Sequence, residues 1–181
     1  MSGEKEIIDQ LRHGHHSALA LVMSQYQDYV YSILKSMLYQ HEAEEAAQDT
    51  FIKVYKHINQ YNDHSKFSTW LYSIAYRTGL DYLKKRKAHQ PIDEVHFGIG
   101  VRDEINNFEN DNMKHWIDSE IRKLDPSDAT LIKLYYLNEY SIKEVSDITG
   151  LSVPNVKVKL FRTRNMLKER MAHLKLSDLI N

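Results

Sequence analysis

Leu19, Val22, Met23, Tyr26, Tyr29, Val30, Ile33, Leu34, Met37 and Leu38 recur at steps of three and four residues. That spacing gathers apolar groups on one face of an α-helix, whereas a strand would need alternation. It predicts a helix over about residues 17–39. A shorter helix around Ile7, Ile8 and Leu11 precedes it, set apart by Gly14. Between about residues 42 and 58, Ala43, Ala47, Thr50, Val54 and Ile58 share one face of a further helix. After the loop at residues 59–67, Ser68 offers a hydroxyl to cap a helix reaching about Lys87. With only 6 Gly and 3 Pro in 181 residues, the expected fold is all-α.

The period lapses between Gln90 and Asn112, where one Pro, two Gly and four Asn fall together. Asp93, Glu94, Asp103, Glu104, Glu109 and Asp111 stand there against Arg102, so six acids less one base leave −5. This acidic stretch reads as a flexible linker, placing two small helical domains at 1–90 and 113–181 with residues 91–112 between them. Helical punctuation then returns. Asp125 precedes Pro126 as an N-cap, Ser141 and Glu144 have capping-box spacing, Gly150 supplies a left-handed stop, and Ser152 caps a last helix with Pro154 in its first turn. A short helix, a tight turn and a longer helix make a helix-turn-helix.

Whole-chain charge excludes little, because 24 Lys and Arg nearly balance 25 Asp and Glu. Any nucleic-acid footprint must be local. From Val153 to Met171, Lys157, Lys159, Arg162, Arg164, Lys168 and Arg170 face Glu169 alone, a net of +5. Val153, Val156, Leu160, Leu167, Met171 and Leu174 project to a core stripe, and Asn155, Val158, Phe161, Arg162 and Asn165 point away. An apolar inner face with a basic, amide-bearing outer face suits a helix that reads a major groove. A second basic stretch, Arg77 with Lys84, Lys85, Arg86 and Lys87 against Asp81, nets +4. It goes with an aromatic-rich stretch, Phe67, Trp70, Tyr72, Tyr76 and Tyr82, and aromatics beside cations can hold unpaired bases, although most such rings belong to cores. The outward face of the 42–58 helix, with Glu44, Glu45, Gln48 and Asp49 around Ile52, has the apolar centre and charged rim of a partner surface.

Taken in order, these segments resemble the extracytoplasmic-function sigma factors of bacterial RNA polymerase, in the sigma-70 family. Residues 43–58, AEEAAQDTFIKVYKHI, look like the family's polymerase-binding helix, and residues 66–87, KFSTWLYSIAYRTGLDYLKKRK, are similar to its melting and minus-ten-reading segment. Residues 124–171 look like the domain that reads the minus-thirty-five element. The resemblance implies a region 2-like domain at 1–90 and a region 4-like domain at 113–181. Core polymerase would bind Glu44, Glu45, Gln48, Asp49, Ile52 and Lys53. Minus-ten DNA would meet Asn62, Lys66, Phe67, Trp70, Arg77, Lys84, Lys85, Arg86 and Lys87. Minus-thirty-five DNA would meet Pro154, Asn155, Lys157, Val158, Lys159, Phe161, Arg162 and Arg164. Pro154-Asn155 stands where the family often carries Gly-Thr, so the promoter sequence does not carry over. The resemblance further implies promoter DNA, core polymerase and a cognate anti-sigma factor as partners, with no cofactor, no small-molecule substrate and no covalent chemistry.

Two other functions are weaker fits. A stand-alone helix-turn-helix regulator leaves the first two segments unexplained. A metal-dependent hydrolase would have to use the ten His, yet His13, His15 and His16 lack an acid at HExxH spacing. No Cys is present, which excludes disulfides, thiolate zinc and a Cys nucleophile. The start lacks the apolar stretch of a signal peptide, and the longest apolar run, Ala18–Met23, is far short of a membrane span. A cytoplasmic protein is expected.

Overall fold

The computed structural model describes residues 2–89 and 111–177, with side chains over 3–88 and 116–172. The described residues form helices without strands, arranged as two compact units. The acidic linker, apart from its last two residues, lies outside them.

The first unit holds α1 (Ser2–Arg12), α2 (His16–Lys35), α3 (Gln40–His57) and α4 (Phe67–His89). Much of its core comes from residues the periodicity selected, Val22, Val30, Leu34 and Val54 among them, joined by Leu71 of α4, whereas Met23 and Tyr29 of the same stripe are exposed. α2 ends at Lys35, earlier than residue 39, yet Met37 and Leu38 stay in the core from the turn that follows. The apolar spacing therefore outlasts the helix. Gly79 sits inside α4, where it costs about 1 kcal/mol relative to Ala. A Cβ there would stand 2.9 Å from Met37 Sδ, so its absence lets α4 approach α2 closely. Ser68 is not the cap of α4. The first helical bond runs from Trp70 N to the Lys66 carbonyl (3.2 Å), and Ser68 falls inside the first turn. With Phe67 buried, the chain enters the helix two residues early.

The second unit holds α5 (Asp111–Arg122), α6 (Pro126–Ile132), the first five residues of α7 (Ile142–Thr149) and α8 (Val153–Ser177). Each predicted punctuation mark is in place. Asp125 accepts from Ser127 N at 2.9 Å, Glu144 accepts from Ser141 N at 3.0 Å, Gly150 has φ +73°, and Asn155 N donates to Ser152 Oγ at 3.4 Å. α6 runs on into a π turn at Lys133–Leu137, closed by Asn138 N to the Lys133 carbonyl (3.0 Å). Ser146 Oγ donates to the Leu151 carbonyl (2.6 Å) and pins the turn between α7 and α8. Val156 and Leu160 are buried, joined by Thr163, which the projection omitted. Val153 is exposed, contrary to its place on the predicted stripe. Leu174 is outside the described side chains.

Candidate docking and nucleic-acid surfaces

α3 presents Glu44, Glu45, Gln48 and Ile52 to solvent, with Ile52 48% exposed. Ala43, Ala46, Thr50 and Val54, buried beneath, fix the rotation of the helix. An exposed Ile ringed by charged and amide groups keeps the apolar-centre, polar-rim character expected of it. Two of the predicted contacts lie at the edge of this face and turn toward α4. Asp49 accepts a hydrogen bond from Tyr82 Oη (2.9 Å), and Lys53 Nζ reaches Thr78 Oγ1 (3.0 Å) and Asp81 (3.3 Å). Burial, and then the Asp49 hydrogen bond, push the Tyr82 hydroxyl up to about 12.

The loop between α3 and α4 rests on aromatic rings. Phe67 packs edge-on against Tyr26 and Tyr61, with Trp70 tilted against both Tyr61 and Phe67. Phe67, Tyr72 and Tyr76 are buried. Phe67 was expected to touch DNA; at 1% exposure it is the floor beneath the loop instead. Trp70 keeps partial exposure, and Asn62 and Lys66 are exposed above the floor. The loop is shaped by its own polar groups: Tyr61 Oη donates to the Ser65 carbonyl (2.7 Å), and His64 N donates to Asn62 Oδ1 (3.3 Å). Asp63 takes a left-handed φ of 60°, a conformation open to Asp at modest cost.

Arg77, Lys84, Lys85 and Lys87 are exposed along α4, with Lys85 Nζ 5.4 Å from the centre of the Tyr82 ring. Arg86 departs from the basic tail. Its Nη1 pairs with Glu42 Oε2 at 3.2 Å, its guanidinium lies 4.8 Å over the Tyr39 ring, and the two side chains are 19% and 16% exposed. Glu42 Oε2 also accepts from Tyr39 N (3.1 Å), so one carboxylate caps α3 and holds α4. That placement makes Arg86 a brace between helices rather than a solvent-facing cation.

On α8, Pro154, Asn155, Lys157, Val158, Phe161, Arg162 and Arg164 are all exposed. Val158 and Phe161 form an apolar centre at 46% and 57% exposure, flanked by Lys157 and Arg162. Arg164 lies 5.8 Å over the Phe161 ring. Lys159 turns away from this face to pair with Asp128 on α6 and is only partly exposed. The exposed cationic face is thus narrower than the run of cations suggested. Behind it, buried Glu120 accepts from Lys123 and from Arg170 (3.0 Å), tying α5 to α8. Burial alone would raise the Glu120 carboxyl; these two cations outweigh it and hold it below its ordinary value.

Sequence reasoning missed Arg12, Asp63, Glu42 and Glu120, each of which shapes a surface through a partner on another segment. Among the described residues no group of three His, Asp or Glu side chains is placed to hold a metal ion, and no helix is long and apolar enough to cross a membrane.

Two helical units with these surfaces define a class. The Sigma-70 region 2 family matches residues 22–89, and the Sigma-70, region 4 family matches residues 114–167. The chain is 31% identical over 185 residues to the ECF RNA polymerase sigma factor SigW of Bacillus subtilis (strain 168), covering 94% of this chain and 97% of that protein. It is 33% identical over 149 residues to SigM of the same organism, covering 81% and 91%. Against the ECF RNA polymerase sigma-E factor of Escherichia coli (strain K12) identity is 25% over 182 residues, covering 94% and 95%. Two solved structures share the fold at 18% identity. CnrH in complex with the cytosolic domain of CnrY has a TM-score of 0.66 over 92% of this chain and 96% of its own. The sigma factor RpoE of Bartonella quintana, in a co-crystal with the anti-sigma factor NepR, has a TM-score of 0.70 over 84% and 96%. The chain belongs to the extracytoplasmic-function sigma factors of RNA polymerase. Because the likeness covers both units, a stand-alone helix-turn-helix regulator is not favoured.

Proposed function

We propose that this sigma factor divides promoter recognition between its units and makes or breaks no covalent bond itself. Glu44, Glu45, Gln48 and Ile52 on α3 dock on core polymerase, with Asp49 and Lys53 setting the edge of that surface. The loop at residues 61–66 receives a base extruded from the minus-ten element, with Asn62 and Lys66 reaching for it and Trp70 at its side. Flipping a base costs a few kcal/mol, so it has to be offset by stacking and pocket hydrogen bonds. Arg77, Lys84, Lys85 and Lys87 follow the strand's phosphates. On α8, Lys157 and Arg162 contact the minus-thirty-five duplex, Asn155 supplies an amide for adenine, and Val158 and Phe161 meet thymine methyl groups.

The observation that supports this most is the composition of the two exposed faces. An acid-and-amide rim around Ile52 suits a protein partner, and a basic, amide-bearing face on α8 suits DNA. The protein would act in the cytoplasm, where polymerase and promoter are found. We extend to it the class of partner named for RpoE of Bartonella quintana, an anti-sigma factor that withholds it from polymerase. Run-off transcription on genomic fragments, with core polymerase and with or without this protein, tests the reading. New start sites are expected in its presence, and their absence would refute it.

A further inference from the structure

Arg12 stands on the last turn of α1, outside both matched segments, and its guanidinium reaches across to the loop at residues 61–66. Nη2 donates to the Tyr61 carbonyl at 2.8 Å and lies 3.3 Å from Asp63 Oδ2, while Nη1 donates to Asp9 at 3.2 Å. The guanidinium carbon lies 5.9 Å from the centre of the Tyr61 ring. One cation thus holds the chain on both sides of Asn62. The side chain is only 27% exposed, and α1 is itself tethered to α2 by Tyr26 Oη donating to Glu4 (2.6 Å).

We infer that Arg12 is a positioning residue for minus-ten recognition: it closes the loop against α1 in the shape that presents Asn62 to an extruded base. The inference rests on the reading of residues 61–66 as the base-receiving loop. Two physical arguments carry it. The left-handed φ of Asp63 is open to Asp at modest cost, so contacts around the loop decide whether it is held there. The Arg12 contacts on residues 61 and 63, with the Tyr61–Ser65 bond, supply that constraint. Asp63 is also a carboxylate on a surface meant to meet phosphates, and Arg12 offsets the charge that would otherwise repel them. A planar, multidentate donor is needed to hold a carbonyl and a carboxylate at once, so Lys is not equivalent.

The test uses full-length protein with core polymerase and a promoter library randomised across the minus-ten element. In Arg12→Met, base discrimination at the captured position should fall by roughly tenfold, the scale of one charge-assisted hydrogen bond, while the minus-thirty-five preference and the affinity for core polymerase hold. Arg12→Lys should fall between Met and wild type. Asp63→Asn, which tolerates the same φ, should move discrimination in the same direction by less. If discrimination survives Arg12→Met in a folded protein, or if both promoter elements lose preference equally, the assignment is overturned. Unfolding of both Arg12 variants would overturn it too, making Arg12 a prop for the whole unit. A wild-type protein that shows no minus-ten preference would instead sink the reading of the loop, a separate outcome visible before any variant is made.

Discussion

Arg86 and Lys84 lie two residues apart in one basic run, yet the structure gives them different work. Arg86 pairs with Glu42 at 3.2 Å, with both side chains mostly buried, and covers Tyr39. Replacing it by Met keeps the aliphatic stem and removes one charge-assisted hydrogen bond, worth roughly 1.5–3 kcal/mol. A cation–π contact of about 0.5–1 kcal/mol goes with it. Glu42 retains the Tyr39 N–H, so its carboxylate is not orphaned and the lower half of that range applies. The expected loss is about 2.5 kcal/mol, which for a unit of this size lowers the melting temperature by roughly 10–20 °C. Calorimetry of the full chain reads it in the transition of the first unit. Lys84→Ala should leave that transition unmoved and instead flatten the salt dependence of DNA binding by the polymerase complex, by about 0.7–0.9 in the log–log slope for one phosphate contact. The reasoning is refuted if Arg86→Met melts like wild type and flattens the salt slope as Lys84→Ala does.

Other surfaces make their own predictions. Glu120 is held below its ordinary value in the folded state, so it contributes stability above its unfolded pKa and loses it as pH falls through the folded one. The second unit should therefore weaken as pH falls below the ordinary carboxylate range, and Arg170→Met should reduce that acid dependence in calorimetry. Tyr82, pushed up to about 12, stays neutral in the fold while the unfolded residue ionises above its ordinary 10, so its contribution is lost as pH rises through that window. The difference in alkaline absorbance titration between wild type and Tyr82→Phe should show a late-titrating hydroxyl, shifted earlier by Asp49→Asn. Arg162→Ala should cost about 1–3 kcal/mol in promoter use if the side chain reads a base, with polymerase binding intact. Glu45→Lys with Gln48→Lys should abolish co-purification with core polymerase without changing the melting temperature, since neither is buried.

The helices and their ends were legible because the signals that make them are local. Asp125 with Ser127, Ser141 with Glu144, and Ser152 with Asn155 act within three residues, and the core positions of α2 and α3 repeat within four. Ser68 failed as a cap for a reason no local signal carries: Phe67 is drawn into a cluster with Tyr26, some forty residues upstream.

The expected contact residues that turn toward a partner within the fold share a location. Asp49, Lys53, Arg86 and Lys159 all lie where an exposed face meets a neighbouring helix, and each finds an opposite charge or a hydroxyl 25 to 44 residues away. A helical projection assigns a residue to an angle, so it treats a polar side chain at the seam as though it faced water. Whether that side chain turns outward depends on what the adjacent helix offers within about 4 Å, and that pairing has no period. Residues at the centre of a face escape the ambiguity, because no neighbouring helix lies within their reach. Glu45, Gln48 and Ile52 on α3, and Val158 and Arg162 on α8, therefore kept their predicted exposure. The same reasoning separates the effects of substitution: changes at the centres should alter binding with little loss of stability, whereas changes at the seams should alter stability first and binding only through the tilt of the helix they brace.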